Sequence, residues 1–111
     1  MPFAVLEARA EQVATKFAML ASAPRLLILC HLGKVDGEAA EGAAGEACVS
    51  ELQRAVGLSQ SALSQHLAKL RKAGMVATRR SGQTIHYRLA DEQTRVLMRS
   101  LYETFCAGGE T

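Results

Sequence analysis

The stretch LSQSALSQHLAKLRKAGMVATRRSGQTIHYRL, residues 58–89, changes its periodicity once, and that change decides the fold. In its first half Leu63, Leu67 and Leu70 recur at spacings of four and three, the apolar stripe of an amphipathic helix. Ser59 stands where an N-cap belongs, and Gly74 sits just past the last helical turn. In its second half MVATRR and TIHYRLA are β-branched and partly alternating. The SGQ between them carries the glycine of a tight turn. The stretch predicts a helix followed at once by a β-hairpin.

Immediately upstream, VSELQRAVG predicts a short helix with Leu52 and Val56 on one side and Gly57 as its stop. Two short helices joined by GLS make a helix-turn-helix, over residues of about 49–73, with the hairpin over about 75–89. Further upstream, Ser22 caps a helix with Pro24 in its first turn, running through RLLILCHL and ending at Gly33. Before that, Leu6, Ala10, Val13, Phe17 and Leu20 form the stripe of a first helix, about 4–21. GKVDGEAAEGAAGEA has no helical period and predicts an acidic loop over about 34–47.

Downstream, Asp91 caps a final helix, about 91–107. Leu97, Leu101 and Phe105 form one row on it, and Met98, Tyr102 and Cys106 the next. That face is too broad for one small core and predicts packing on a second subunit as well. The expected order is α-α-α-α-β-β-α, a mainly α chain with a small β-hairpin, forming one domain over residues 1–111.

Hydrophobic residues make up 49% of the chain but aromatics only 5%, with no Trp, so the core must be aliphatic. No apolar run approaches the roughly 20 residues of a membrane span. The N-terminus lacks the basic and apolar regions of a secretory signal. A cytoplasmic protein without membrane contact is expected, and its three cysteines are read as free thiols. The net charge is only +2, but from Leu52 to Ala90 there is no Asp or Glu, while Arg54, Lys69, Arg71, Lys72, Arg79, Arg80 and Arg88 all fall there. A basic block inside an acidic frame is the electrostatic footprint of nucleic-acid binding. No Cys-x-x-Cys, Gly-rich phosphate loop or paired acid and base indicates an enzyme.

With the leucine stripe buried, Ser59, Gln60, Ser61, Ser64, Gln65 and Lys69 are left outward at a helix whose N-terminus suits a phosphate. Gln reads adenine edges, and Ser accepts either partner. Arg79, Arg80, Gln83 and Thr84 flank the hairpin turn, within reach of phosphates or the minor groove. His66 lies at the edge of the stripe, where DNA contact and packing are both open. His86, in a strand, is read as structural.

The segment VSELQRAVGLSQSALSQHLAKLRKAGMVATRRSGQTIHYRL resembles the ArsR/SmtB family of winged-helix repressors in the order and spacing of its recognition helix and wing. The resemblance covers nearly the whole chain except the acidic loop. It implies a winged helix-turn-helix, a homodimer through the first and last helices, and binding to inverted-repeat operator DNA that is released on sensing an inducer.

Such repressors differ in their inducers. The paired thiolates of a metal site at the third helix would read CVC, whereas this chain has ACVSEL: Cys48 is present, but a hydroxyl, Ser50, takes the second place. The last helix has no His, and Asp91, Glu92 and Glu103 are a poor zinc set, so no metal or cofactor is expected. Cys30, in RLLILC, and Cys106, in LYETFC, are similar in context to the family's dithiol subgroup, which responds to persulfides and related oxidants by bridging two sulfurs. The resemblance implies that Cys30 and Cys106 are the redox-sensing pair and that reactive sulfur species are the inducer. A direct disulfide needs Cα atoms within about 7 Å, and a polysulfide spans more. His31 and Arg99 are candidate cations to favour a thiolate. Two alternatives stay open: a metalloid or soft-metal sensor using Cys30, Cys48 and Cys106, and a redox-inert DNA-binding anti-repressor.

Overall fold

A computed structural model describes residues 2–40 and 45–106. Five helices surround a small sheet: α1 (Phe3–Leu20), α2 (Ala23–Glu38), β1 (Ala47–Cys48), α3 (Val49–Val56), α4 (Gln60–Lys72), β2 (Val76–Ser81), β3 (Thr84–Leu89) and α5 (Glu92–Phe105). The architecture is a winged helix-turn-helix, mainly helical, with the β2–β3 hairpin as the wing.

The caps act as the sequence implies. Ser22 Oγ accepts from the Arg25 amide at 3.4 Å, Ser59 Oγ from Ala62 at 3.2 Å and Asp91 Oδ1 from Thr94 at 2.8 Å. Gly57 closes α3 with φ at +71°, a conformation that a β-carbon would strain. Arg25 closes the preceding helix from outside: its Nε donates to the Met19 carbonyl at 3.0 Å and its Nη2 to that of Ala18 at 3.3 Å. The Ala18 carbonyl also accepts from the Ala21 amide at 3.2 Å, and the arginine supplies a donor for Met19, tying the end of α1 to the start of α2.

α2 lies at the centre, packed against α1, α3, α4, β3 and α5. It buries Ile28, Leu29 and Leu32 against Leu52 of α3, Leu63, Leu67 and Leu70 of α4, Leu89 of β3 and Met98 of α5. Trimming one such leucine to alanine costs about 2–5 kcal/mol. All three leucines of the α4 stripe are buried, so the opposite side of α4 is necessarily the open one.

Two expectations are corrected. The second helix does not stop at Gly33, and the acidic loop does not begin at Lys34: α2 continues to Glu38. Tertiary contacts hold the extra turn. A β-carbon on Gly33 would stand 3.7 Å from the Met98 Cβ, so the glycine marks the crossing with α5 rather than an end. Val35 packs on the core, and Asp36 pairs with Arg95. The far end of the expected loop is ordered as well: β1 adds a third strand, giving the antiparallel order β1-β3-β2 with Ala47 opposite Tyr87 and Cys48 opposite His86. Residues 41–44 of that loop, and Ala107 of the expected last helix, lie outside the described residues.

No residue of α1 is fully buried: Met19 and Leu20 pack against the core, while Phe3, Val5, Leu6, Val13 and Phe17 of its apolar side are exposed. On α5, Thr94 and Met98 are buried, while Val96, Tyr102 and Phe105 are exposed. No single helix among the described residues is long and apolar enough to cross a membrane.

Candidate nucleic-acid interface and thiol site

Burial of Leu63, Leu67 and Leu70 turns Ser59, Gln60, Ser61, Ser64, Gln65 and Lys69 to the surface, on and just before α4. Arg80, Gln83 and Thr84 at the tip of the wing are exposed too. The expected DNA-facing residues are therefore accessible, with two qualifications. His66 is turned part-way inward, its Nδ1 enclosed without a hydrogen-bond partner among the described residues. Burial first, then the charges of Arg25 and Lys69, hold its imidazole below the usual histidine range.

Arg79 is the second qualification. Arg79 pairs with His86 in the β2–β3 register, and Arg80 with Ile85, so neighbouring arginines point to opposite faces of the ribbon. Arg80 shares its face with Tyr87, which lines a groove with Ser64, Ala68 and Arg71 of α4. Arg79 shares the outer face with His86 and Cys48. There it forms a two-pronged pair with Glu46, Nη2 to Oε1 at 2.8 Å and Nε to Oε2 at 3.0 Å. Sequence reading missed this partner, because 33 residues separate the two and no local pattern links them.

The cysteines separate into two environments. Cys30 is half-buried on α2, in the wall of a cavity of about 600 Å³ between α2 and α5. His31, Arg95, Met98, Arg99 and Tyr102 line the same cavity. Cys106 is exposed, one turn beyond Tyr102, and its amide donates to the Tyr102 carbonyl at 2.8 Å. Burial, and then the Cys106 charge, push the Cys30 thiol above its ordinary range. His31 and Arg99 line the cavity, but the Cys30 thiol is governed by burial and by Cys106.

Cys48 is committed elsewhere. Its Sγ donates to Glu51 Oε1 at 3.2 Å and lies 3.2 Å from Ser50 Oγ, while its amide donates to the same Glu51 oxygen at 3.2 Å. It closes the N-terminus of α3, and these bonds hold the Glu51 carboxyl below its usual range. Among the described residues no three Cys, His, Asp or Glu side chains gather as a metal-binding group.

A family model described as "Bacterial regulatory protein, arsR family" matches residues 40–78. The biofilm growth-associated repressor of Agrobacterium fabrum is 39% identical over 110 residues, covering 99% of this chain and 86% of that protein. Among solved structures, the transcriptional repressor BigR from Xylella fastidiosa superposes with a TM-score of 0.80 at 36% identity, covering 96% of this chain and 99% of the other. A homodimeric winged helix-turn-helix DNA-binding domain from Mycobacterium bovis superposes with a TM-score of 0.73 at 30% identity, covering 88% and 82%.

Proposed function

The chain belongs to the ArsR family of bacterial transcriptional regulators, and on that premise we propose that it is a homodimeric repressor whose hold on operator DNA is released when reactive sulfur bridges Cys30 and Cys106. The observation that carries this reading is the placement of half-buried Cys30 in the wall of the α2–α5 cavity, with exposed Cys106 one turn beyond Tyr102, which lines the same cavity.

The chemistry divides by exposure. The Cys106 thiolate attacks the terminal sulfur of a low-molecular-weight persulfide RSSH, forming Cys106–S–SH and expelling RS⁻. The Cys30 thiolate then attacks the inner sulfur of that persulfide and expels HS⁻, leaving a Cys30–Cys106 disulfide. If Cys30 is first converted to a persulfide by a second RSSH, the same closure retains one extra sulfur and spans a longer gap.

Either bridge ties the central helix to α5. The exposed apolar residues of α1 and α5 support those helices as the subunit interface, so a shift of α5 against α2 changes the separation of the two reading heads. DNA holds half-sites about 34–36 Å apart for one turn, so a small change in head separation costs affinity. Ser59, Gln60, Ser61, Ser64, Gln65 and Lys69 would meet the major groove. Arg80, Gln83 and Thr84, at the wing, would meet the backbone or the minor groove.

The test is anaerobic treatment of the reduced protein with glutathione persulfide, followed by intact mass, peptide mapping and DNA titration. The expected result is a Cys30–Cys106 crosslink and weakened DNA binding. Cys30→Ser and Cys106→Ser should bind DNA when reduced and lose the response, while Cys48→Ser should keep it. A response retained in both of the first two variants overturns the reading.

A further inference from the structure

The block from Leu52 to Ala90 contains no acid, yet the fold brings one into it. Glu46 reaches across the sheet and engages Arg79 with both carboxylate oxygens. The Glu46 side chain is only 16% exposed and that of Arg79 is 52% exposed, so the carboxylate lies beneath the guanidinium. It is held there on both sides. Gly45 is buried where any β-carbon would collide with the backbone of Val35 and Asp36 in α2, and Ala47 is fully buried in β1. A carboxylate anchored in this way loses little freedom on pairing, and a two-pronged arginine–carboxylate contact is the stronger kind.

We propose that Glu46 is a built-in competitor for the wing, occupying Arg79 and setting how much of the wing's positive charge is available to DNA. This rests on the reading that the wing meets DNA, and it goes beyond it by assigning the end of the acidic segment a role in operator affinity. A phosphate approaching the outer face of the wing must share Arg79 with Glu46 and meet the carboxylate's own charge. Arg80, on the opposite face, carries no such partner among the described residues. Arg79 and Arg80, adjacent in sequence, are therefore unequal: Arg80 is free to contact a phosphate, while Arg79 is held in reserve.

Phosphate contacts are counted by the salt dependence of binding, whose logarithmic slope changes by about 0.9 for each phosphate neutralised. The experiment measures binding of the reduced, full-length protein to a non-specific duplex of about three helical turns by fluorescence anisotropy across a salt series. Thermal melts confirm that each variant is folded. Glu46→Gln, nearly isosteric, should bind about three- to tenfold tighter at low salt and steepen the slope by about 0.9. In an Arg79→Ala background the same change should give a smaller gain and leave the slope unaltered. Arg80→Ala should make the slope shallower by about 0.9. An unchanged or shallower slope for Glu46→Gln, or a steepening that persists without Arg79, overturns the proposal while a shallower Arg80→Ala slope leaves the wing reading standing. If neither Arg80→Ala nor Glu46→Gln changes the slope, the wing does not meet DNA and both fall together.

Discussion

Asp36, in the last turn of α2, and Arg95, in the first turn of α5, meet with Oδ1 3.3 Å from Nε, and both side chains are largely covered. Arg95 also lies 3.6 Å from Glu92 on its own helix, so the pair is a small network rather than an isolated surface contact. It pins the turn of α2 beyond Gly33 at the mouth of the cavity that Cys30 lines. Asp36→Asn should cost about 1 kcal/mol and lower the melting temperature by several degrees. Hydrogen exchange should rise at the C-terminal turn of α2 and not at its centre.

Asp91 caps α5 through the Thr94 amide, and that bond holds its carboxyl below the ordinary range. A carboxyl depressed in the folded state adds stability above its unfolded value, about 3.9, and loses it as pH falls through the folded value. Asp91→Ala should therefore cost about 1 kcal/mol at neutral pH. Parent and variant should converge as the solution becomes acidic, a trend that denaturant melts over a pH series will display.

Phe17 on α1 is 55% exposed in the single chain, on a helix with no fully buried residue of its own. As an interface residue, Phe17→Glu should shift the protein towards monomer in sedimentation velocity and reduce DNA affinity at least tenfold. The isolated fold should melt almost unchanged, because the α2-centred core is untouched. A dimer as tight as the parent's would place the interface elsewhere.

The Cys30 thiol is pushed up by burial and by Cys106, so little of it is thiolate at neutral pH. Closure of the bridge should accelerate about tenfold per pH unit through neutrality, and should not level off within the ordinary cysteine range. The first step, formation of the Cys106 persulfide, is followed in the same reactions. Rapid-quench mass spectrometry separates the two. A bridge-forming step that levels off near neutral pH would show that Cys30 is not the slow thiol.

Residues 58–89 alone were enough for a helix and hairpin, because a stripe at spacings of four and three and a β-branched pair around SGQ are local patterns. The caps at Ser22, Ser59 and Asp91 were legible for the same reason: each joins a side chain to an amide three residues on. Outward exposure of the α4 polar residues followed from the leucine stripe by geometry. The sequence also separated cation from acid along the chain.

Only tertiary structure decided the rest, because the deciding contacts join distant residues. α2 outlasts Gly33 because α5 crosses there and Arg95 holds Asp36, contacts that no helix propensity registers. β1 exists because Ala47 and Cys48 find Tyr87 and His86 about forty residues away. The pleat puts Arg79 and Arg80 on opposite faces, and the close approach of Gly45 to α2 delivers Glu46 to one of them. The expected favouring of a Cys30 thiolate by nearby cations gave way to desolvation, which depends on how deeply a thiol is packed and is written nowhere in its neighbours along the chain.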